Sequence, residues 1–229
     1  MRQRDGYAWI VEEYIAERRP QTTEERARFT RMRSLAEVVR IGAMCEDERG
    51  KRLSHQWRIP RASLESARDA LLSVLPALRK APTFEALHDV IHAVIRPIFR
   101  IGDLVIYDIT MRIGAKLGLE PRIVYLHAGT RVGARRLGFP ASRLTLEMGE
   151  LPQAFRRLRP YEAEDVLCIY NDHFGTDAQT SRKRNVTRYQ PSCVGVGKPR
   201  TGSASIAPSA CRNMTPNVRP SANAKRSIC

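Results

Sequence analysis

Two observations predict an all-α fold, a compact bundle of seven or eight short helices with room for one small β-hairpin. Apolar residues recur every three or four positions in segment after segment between Tyr7 and Tyr170, the periodicity of helices with one buried face. Helix-starting and helix-stopping residues bracket most of those segments. A third observation sets the domain boundary: past Phe174 the composition turns to Ser, Thr, Asn, Pro, Gly and Arg, with few large apolar side chains. Ordering each residue costs about 1 to 2 kcal/mol of backbone entropy, and such a segment cannot bury enough surface to offset it. Residues 1–174 therefore read as one helical globular domain and 175–229 as a disordered basic tail. The abrupt shift in composition has the character of an acquired or out-of-frame extension, so deleting the tail is expected to leave the melting temperature unchanged.

Taken in order, Tyr7, Ile10, Val11, Tyr14 and Ile15 make the apolar stripe of a first helix, with Asp5 as cap and Pro20 as stop. Thr22 and Glu25 have the spacing of a capping box and open a second, running through Phe29, Leu35 and Val39 to Gly42. Residues 45–61 lack a helical stripe, and the polar run Glu46-Asp47-Glu48-Arg49-Gly50 suits the turn of a short hairpin. Helical spacing returns from Ser63 to Leu75, where Pro76 ends or kinks it, and again after Thr83 through Phe84, Leu87, Ile91 and Ile95. Leu104 to Leu117 is apolar nearly all round and should be the buried centre of the bundle, closed by Gly118 in the left-handed conformation. Pro121 suits the first turn of another short helix. Thr130 caps a basic one over Arg131 to Leu137, and Pro160 to Tyr170 is the last, its first turn made acidic by Glu162, Glu164 and Asp165 in accord with the helix dipole.

The net charge of +15 is unevenly placed. Residues 1–174 carry 29 Lys and Arg against 23 Asp and Glu, a surplus of 6, whereas the tail carries 10 against 1. The body is thus only mildly basic, which admits an anionic partner without naming one. No apolar run approaches the roughly 20 residues that span a bilayer, and the amphipathic start lacks a signal-peptide core, so no membrane association and a cytoplasmic address are expected. The cysteines are odd in number and form no Cys-x-x-Cys pair; Cys45 and Cys168 in the body read as free thiols.

The stretch Tyr125 to Gly138, Tyr-Leu-His-Ala-Gly-Thr-Arg-Val-Gly-Ala-Arg-Arg-Leu-Gly, carries the densest pattern of small and basic residues. A helix start leaves amide N–H groups unpartnered, and glycine lets an anion approach them. Arg131 and Arg135 share a helix face beside that start, with Arg136 adjacent. The region resembles the helix-hairpin-helix of DNA-repair glycosylases, over about 40 residues from Phe99 onward; Leu126, Gly129, Ala134 and Leu137 stand at the family's spacings. The resemblance implies DNA-binding, or binding of structured RNA, with Gly129, Thr130, Arg131, Arg135 and Arg136 gripping phosphate and reading no sequence. Where the family has Gly-x-Gly this chain has Ala128-Gly129-Thr130 and Ile101-Gly102-Asp103, and counting on from Gly102 to the family's catalytic Asp reaches His127 and Ala128. The expectation is accordingly non-catalytic nucleic-acid binding.

An alternative lies in His88-Asp89-Val90-Ile91-His92, whose histidines stand four apart on one helix, the spacing that aims two imidazoles at one metal ion. It resembles the zinc-peptidase motif with Asp for Glu. A second resemblance, to His-Asp metal-dependent phosphohydrolases, would use His55, His88, Asp89 and Asp108. A metal-dependent hydrolase is thus the runner-up, with His88, Asp89 and His92 as ligands. A protein-partner module without nucleic acid or catalysis is the third class. Cys45 and Cys168 are nucleophiles by type only, and Glu147 and Glu150 flank a Met-Gly turn as a conceivable acid and base. No phosphate loop, dinucleotide fingerprint or Gly-x-Ser-x-Gly elbow is present, and no cofactor is expected.

Overall fold

The computed structural model describes residues 6–47, 50–53 and 56–175. His55 and the expected tail beyond Gly175 lie outside the described residues. Helix α1 (Ala8–Glu13) passes through a π-helical turn (Tyr14–Arg18) directly into α2 (Arg19–Arg31). Pro20 therefore does not end the first helix: the wide turn before it accommodates a residue that has no N–H to donate. Nor does a helix begin at Thr22. Its hydroxyl instead donates across the fold to Asp165 Oδ2 at 3.3 Å.

The expected second helix breaks at residues 32–34. Ser34 caps α3 (Leu35–Gly42), its Oγ accepting from the Glu37 amide at 3.1 Å while the Glu37 carboxylate accepts from the Arg33 amide at 2.8 Å. Glu46 and Arg52 then form an isolated antiparallel bridge where a small hairpin was expected. Helices α4 (Arg61–Ser73) and α5 (Leu75–Lys80) meet at Val74, with Pro76 in the first turn of α5. Thr83 caps α6 (Phe84–Ile95), accepting from the Ala86 amide. Helix α7 (Asp103–Leu117) ends on Gly118 at φ +71°, which lets the Leu119 amide fold back onto Gly114 O at 2.8 Å.

The expected short helix after Pro121 does not form. Val124–Tyr125 is a strand, β1, paired antiparallel with β2 (Thr145–Leu146). β-branched and aromatic residues suit an extended backbone, and a partner strand twenty residues on satisfies its hydrogen bonds. Helix α8 (Ala128–Arg136) starts earlier than expected, with His127 as its cap residue. A 3₁₀ turn (Gln153–Arg157), α9 (Pro160–Ile169) and a last 3₁₀ turn (Asn171–His173) complete the described chain.

Helix α7 is buried along its length and packs against α2, α3 and α6, as its all-round apolar sequence requires. The core is nevertheless not single. One apolar cluster gathers α3, α4, α6 and α7; a second gathers α1, β1, α8 and α9 around Phe155 and Phe174. The second is closed by glycine: a Cβ at Gly133 would stand 2.2 Å from Leu167 O, so only glycine lets α8 lie this near α9. Among the described residues no helix is long and apolar enough to cross a membrane.

Candidate functional site

A cavity of about 230 Å³ opens where α2, α7 and α9 converge, smaller than the pockets that enclose drug-sized ligands, so it suits only a small one. Phe29, Leu104, Met111 and Ile169 give it apolar walls. Into this space α7 sends Tyr107, Asp108 and Arg112, while α9 sends Glu164, Asp165 and Cys168. Helical spacing explains the grouping: residues four apart on one helix share a face, so Asp108 and Arg112 project together, as do Glu164 and Cys168. His127 joins them from the start of α8.

Charged residues are rarely buried this deeply unless paired. His127 is 3% exposed and Glu164 6%, and His127 Nε2 lies 2.5 Å from Glu164 Oε1. That contact is off the line of a well-directed N–H bond, and His127 Nδ1 has no protein partner among the described residues. Burial alone would lower the imidazole pKa. The Glu164 carboxylate facing it, with Asp108 and Asp165 adding to its effect, offsets burial and leaves His127 raised above its ordinary value. Beside it, Asp165 is pushed up to about 8 by burial and by Glu164, against the pull of hydrogen bonds from Tyr14 (2.7 Å) and Thr22. Asp165 thus holds its proton at neutral pH. Tyr107, buried between the rings of Phe84, Tyr125 and His127, also keeps a hydroxyl without a protein partner among the described residues. Asp108 accepts a short hydrogen bond from Gln56, and Arg112 donates to Gly42 O at 2.9 Å and to Cys45 Sγ at 3.6 Å.

The residues singled out for phosphate binding are placed differently from one another. Gly129 sits under α9, where a Cβ would stand 2.6 Å from Cys168 Sγ. Thr130 is buried and turned inward, its hydroxyl accepting from the His127 amide at 2.7 Å and donating to His127 O at 3.0 Å. Arg131 donates to Leu126 O and pairs with Asp103 at 3.4 Å. Arg136 is engaged by Asn171 and Asp172 beyond α9. Arg135 alone is exposed with no ion-pair partner among the described residues. The structure therefore does not gather the three guanidinium groups at the glycine-led helix start.

The His-Asp-x-x-His helix forms as expected, yet its groups do not converge. His88 is 4.0 Å from an Asp89 carboxylate that points to solvent, and its ring lies 4.7 Å from that of Tyr125. The His88 and His92 rings are 6.1 Å apart, and no cluster of three or more metal-ligating side chains exists among the described residues. Neither thiol is poised for nucleophilic attack: burial raises Cys45, and burial with Glu164 pushes Cys168 up to about 12. Glu150 accepts from the Glu147 amide and from Arg143, which depress its pKa and make it the closure of a turn.

Sequence reading missed His127, Glu164 and Asp165 as a group. One trace was available: two adjacent acids inside the otherwise apolar face of Ala163, Val166 and Leu167. The dipole of α9 accounts for Glu162 in its first turn, whereas Glu164 and Asp165 lie beyond that turn, and the dipole explains neither their place nor their burial. No protein-family model, curated protein or solved structure matches this chain.

Proposed function

We propose that the chain binds a small planar nitrogen heterocycle in the α2–α7–α9 cavity and exchanges a proton with it. The observation that carries this reading is a pair of orphaned polar atoms beside the cavity, His127 Nδ1 and the Tyr107 hydroxyl. Leaving a buried donor or acceptor unsatisfied costs about 1 to 3 kcal/mol, and buried polar groups are otherwise nearly always paired. A ligand offering ring nitrogens and exocyclic oxygen or amino groups would satisfy both atoms, while Phe29 and Met111 cover its faces.

In this reading His127 is the acid–base group, since burial favours its neutral imidazole while Glu164 beside it favours the imidazolium. Glu164 positions the ring and stabilises its charged form. Asp165, kept protonated, donates a hydrogen bond that an ionised carboxylate cannot. The test is a titration of the full chain with the four common ribonucleosides, followed on the His127 ring resonances. Saturable shifts that disappear in Tyr107→Phe, with the His88 resonances unmoved, support the reading; no shift with any nucleoside removes it.

Nucleic-acid binding at α8 is a second reading, favoured by a single observation, an exposed Arg135 without an ion-pair partner among the described residues, on a body of net positive charge. Duplex DNA retained at moderate salt by the full chain and lost in Arg135→Ala would support it. Unchanged binding would exclude this surface.

A further inference from the structure

Next to the cavity lies a second, polar cleft of about 360 Å³, and Arg26 and Tyr161 line both. We infer that this cleft is a phosphate subsite for the cavity's ligand, which makes that ligand a phosphorylated small molecule. The assignment rests on the reading above for the ligand's body and on the cleft alone for its phosphate.

Four guanidinium groups, Arg19, Arg26, Arg157 and Arg159, wall the cleft against two carboxylates, Glu120 and Glu162. Both carboxylates are already engaged. Glu162 accepts from Arg19 Nε at 2.7 Å and Nη2 at 2.9 Å, and from the Arg159 amide at 2.8 Å, which fixes it at the start of α9. Glu120 accepts from Arg26 at 2.9 Å and from Arg159 at 2.8 and 3.0 Å. Each guanidinium offers five N–H donors, so donors remain in excess after these bonds. The excess is local at Arg26: its Nη2 serves Glu120, while its buried Nη1 has no protein partner among the described residues. The Arg26 guanidinium is also held 4.5 Å over the Tyr161 ring, which fixes its plane between cleft and cavity. Among the described residues the Arg157 guanidinium reaches only an exposed Glu12, at 3.4 Å.

A tetrahedral dianion matches this arrangement. It accepts several charge-assisted hydrogen bonds at once, it takes up the unspent donors of Arg26, Arg157 and Arg159, and it brings the negative charge that the cleft lacks. Because Arg26 faces both spaces, a phosphate in the cleft and a ring in the cavity belong to one compact molecule of the nucleoside monophosphate class. An extended nucleic-acid backbone has no need of the enclosed cavity.

The experiment is calorimetric titration of the full chain with inorganic phosphate, adenosine, adenosine 5′-monophosphate and a short DNA duplex. Inorganic phosphate should bind saturably, and Arg157→Ala with Arg159→Ala should weaken it by about tenfold or more, as loss of charge-assisted partners requires. Glu120→Gln should tighten phosphate by about threefold, the scale of one ion pair, because it removes a competing carboxylate; a merely structural ion-pair role predicts no gain. The monophosphate should bind more tightly than phosphate or adenosine alone. Absence of phosphate binding, indifference to the double variant, or a Glu120→Gln protein that folds without tighter binding each overturns the subsite. Adenosine binding without phosphate binding would overturn the subsite and leave the cavity reading standing, whereas phosphate binding with none of the four common ribonucleosides bound would sink the cavity reading instead. Duplex DNA bound more tightly than the monophosphate and released by the double variant would overturn the small-molecule assignment.

Discussion

Two histidines stand near the ends of one run of aromatic rings, His88 against Tyr125, Tyr125 against Tyr107, and Tyr107 against His127, with centroids 4.7, 5.4 and 5.6 Å apart. Each has a carboxylate nearby, yet their pKa values move in opposite directions. Burial lowers His88 because Asp89, 85% exposed, spends its charge on water. His127 is more deeply buried and is nevertheless raised, because Glu164 is buried with it and has no solvent to screen the attraction. The contrast teaches that a histidine's chemistry is set by how dry its partner is, and that sequence distance to the partner is no guide.

The largest expected effect breaks the contrast at its buried end. Glu164→Gln removes the strongest opponent of desolvation at His127, so the His127 pKa should fall, in the direction that burial takes His88. Taking one member from a buried charged pair typically costs about 3 to 5 kcal/mol. Chemical denaturation together with histidine resonances followed against pH would measure both. A His127 pKa that stays raised in the variant would show that Glu164 is not what holds it.

Next in size is Gly133→Ala. Its methyl group would meet backbone, Leu167 O at 2.2 Å, so α8 must back away from α9. Overpacking of this kind costs about 1 to 3 kcal/mol, and it should disturb His127 while sparing His88 on α6. Gly129→Ala is the milder control, because it meets a side-chain sulfur that can turn aside.

These glycines show what was legible beforehand. The helices, the buried α7 and the glycine stop at Gly118 follow from periodicity and capping, which are local properties of a chain. Pro20 misled because a π turn absorbed it, and Val124–Tyr125 because its partner strand lies outside any local window. The site was hidden for the same reason. Tyr107, His127 and Glu164 are separated by 20 and 37 residues, and what joins them is the α8–α9 approach that Gly133 permits. His88 and His92 drew notice because their geometry is local, and the same locality leaves them on one helix without a third ligand among the described residues.

A third measurement separates the two ends by pH. Asp165 has a folded pKa of about 8 against an unfolded value near 3.8, so between those limits the folded state binds the extra proton. Stability from this group is therefore greatest at acid pH and declines as pH rises towards 8. His127 has the same sign: its raised pKa contributes stability that is full below an unfolded pKa of about 6.5 and lost above the folded one. Asp165→Asn should flatten the fall in stability between pH 4 and 8 relative to the parent chain. An unchanged slope would mean that Asp165 ionises freely.

The smallest effect tests the exposed end. Asp89→Asn deletes the nearest carboxylate to His88, but that carboxylate lies in water and 4.0 Å away. Exposed pairs contribute about 0 to 1 kcal/mol, so the melting curve should hardly move. The His88 pKa should drop slightly further, since Asp89 opposes the dominant effect of burial. His127, two aromatic neighbours away, should not respond at all. If Asp89→Asn shifted His127 as well, the ring series would be carrying charge information between the two ends, and the dryness of each histidine's own partner could no longer account for the difference.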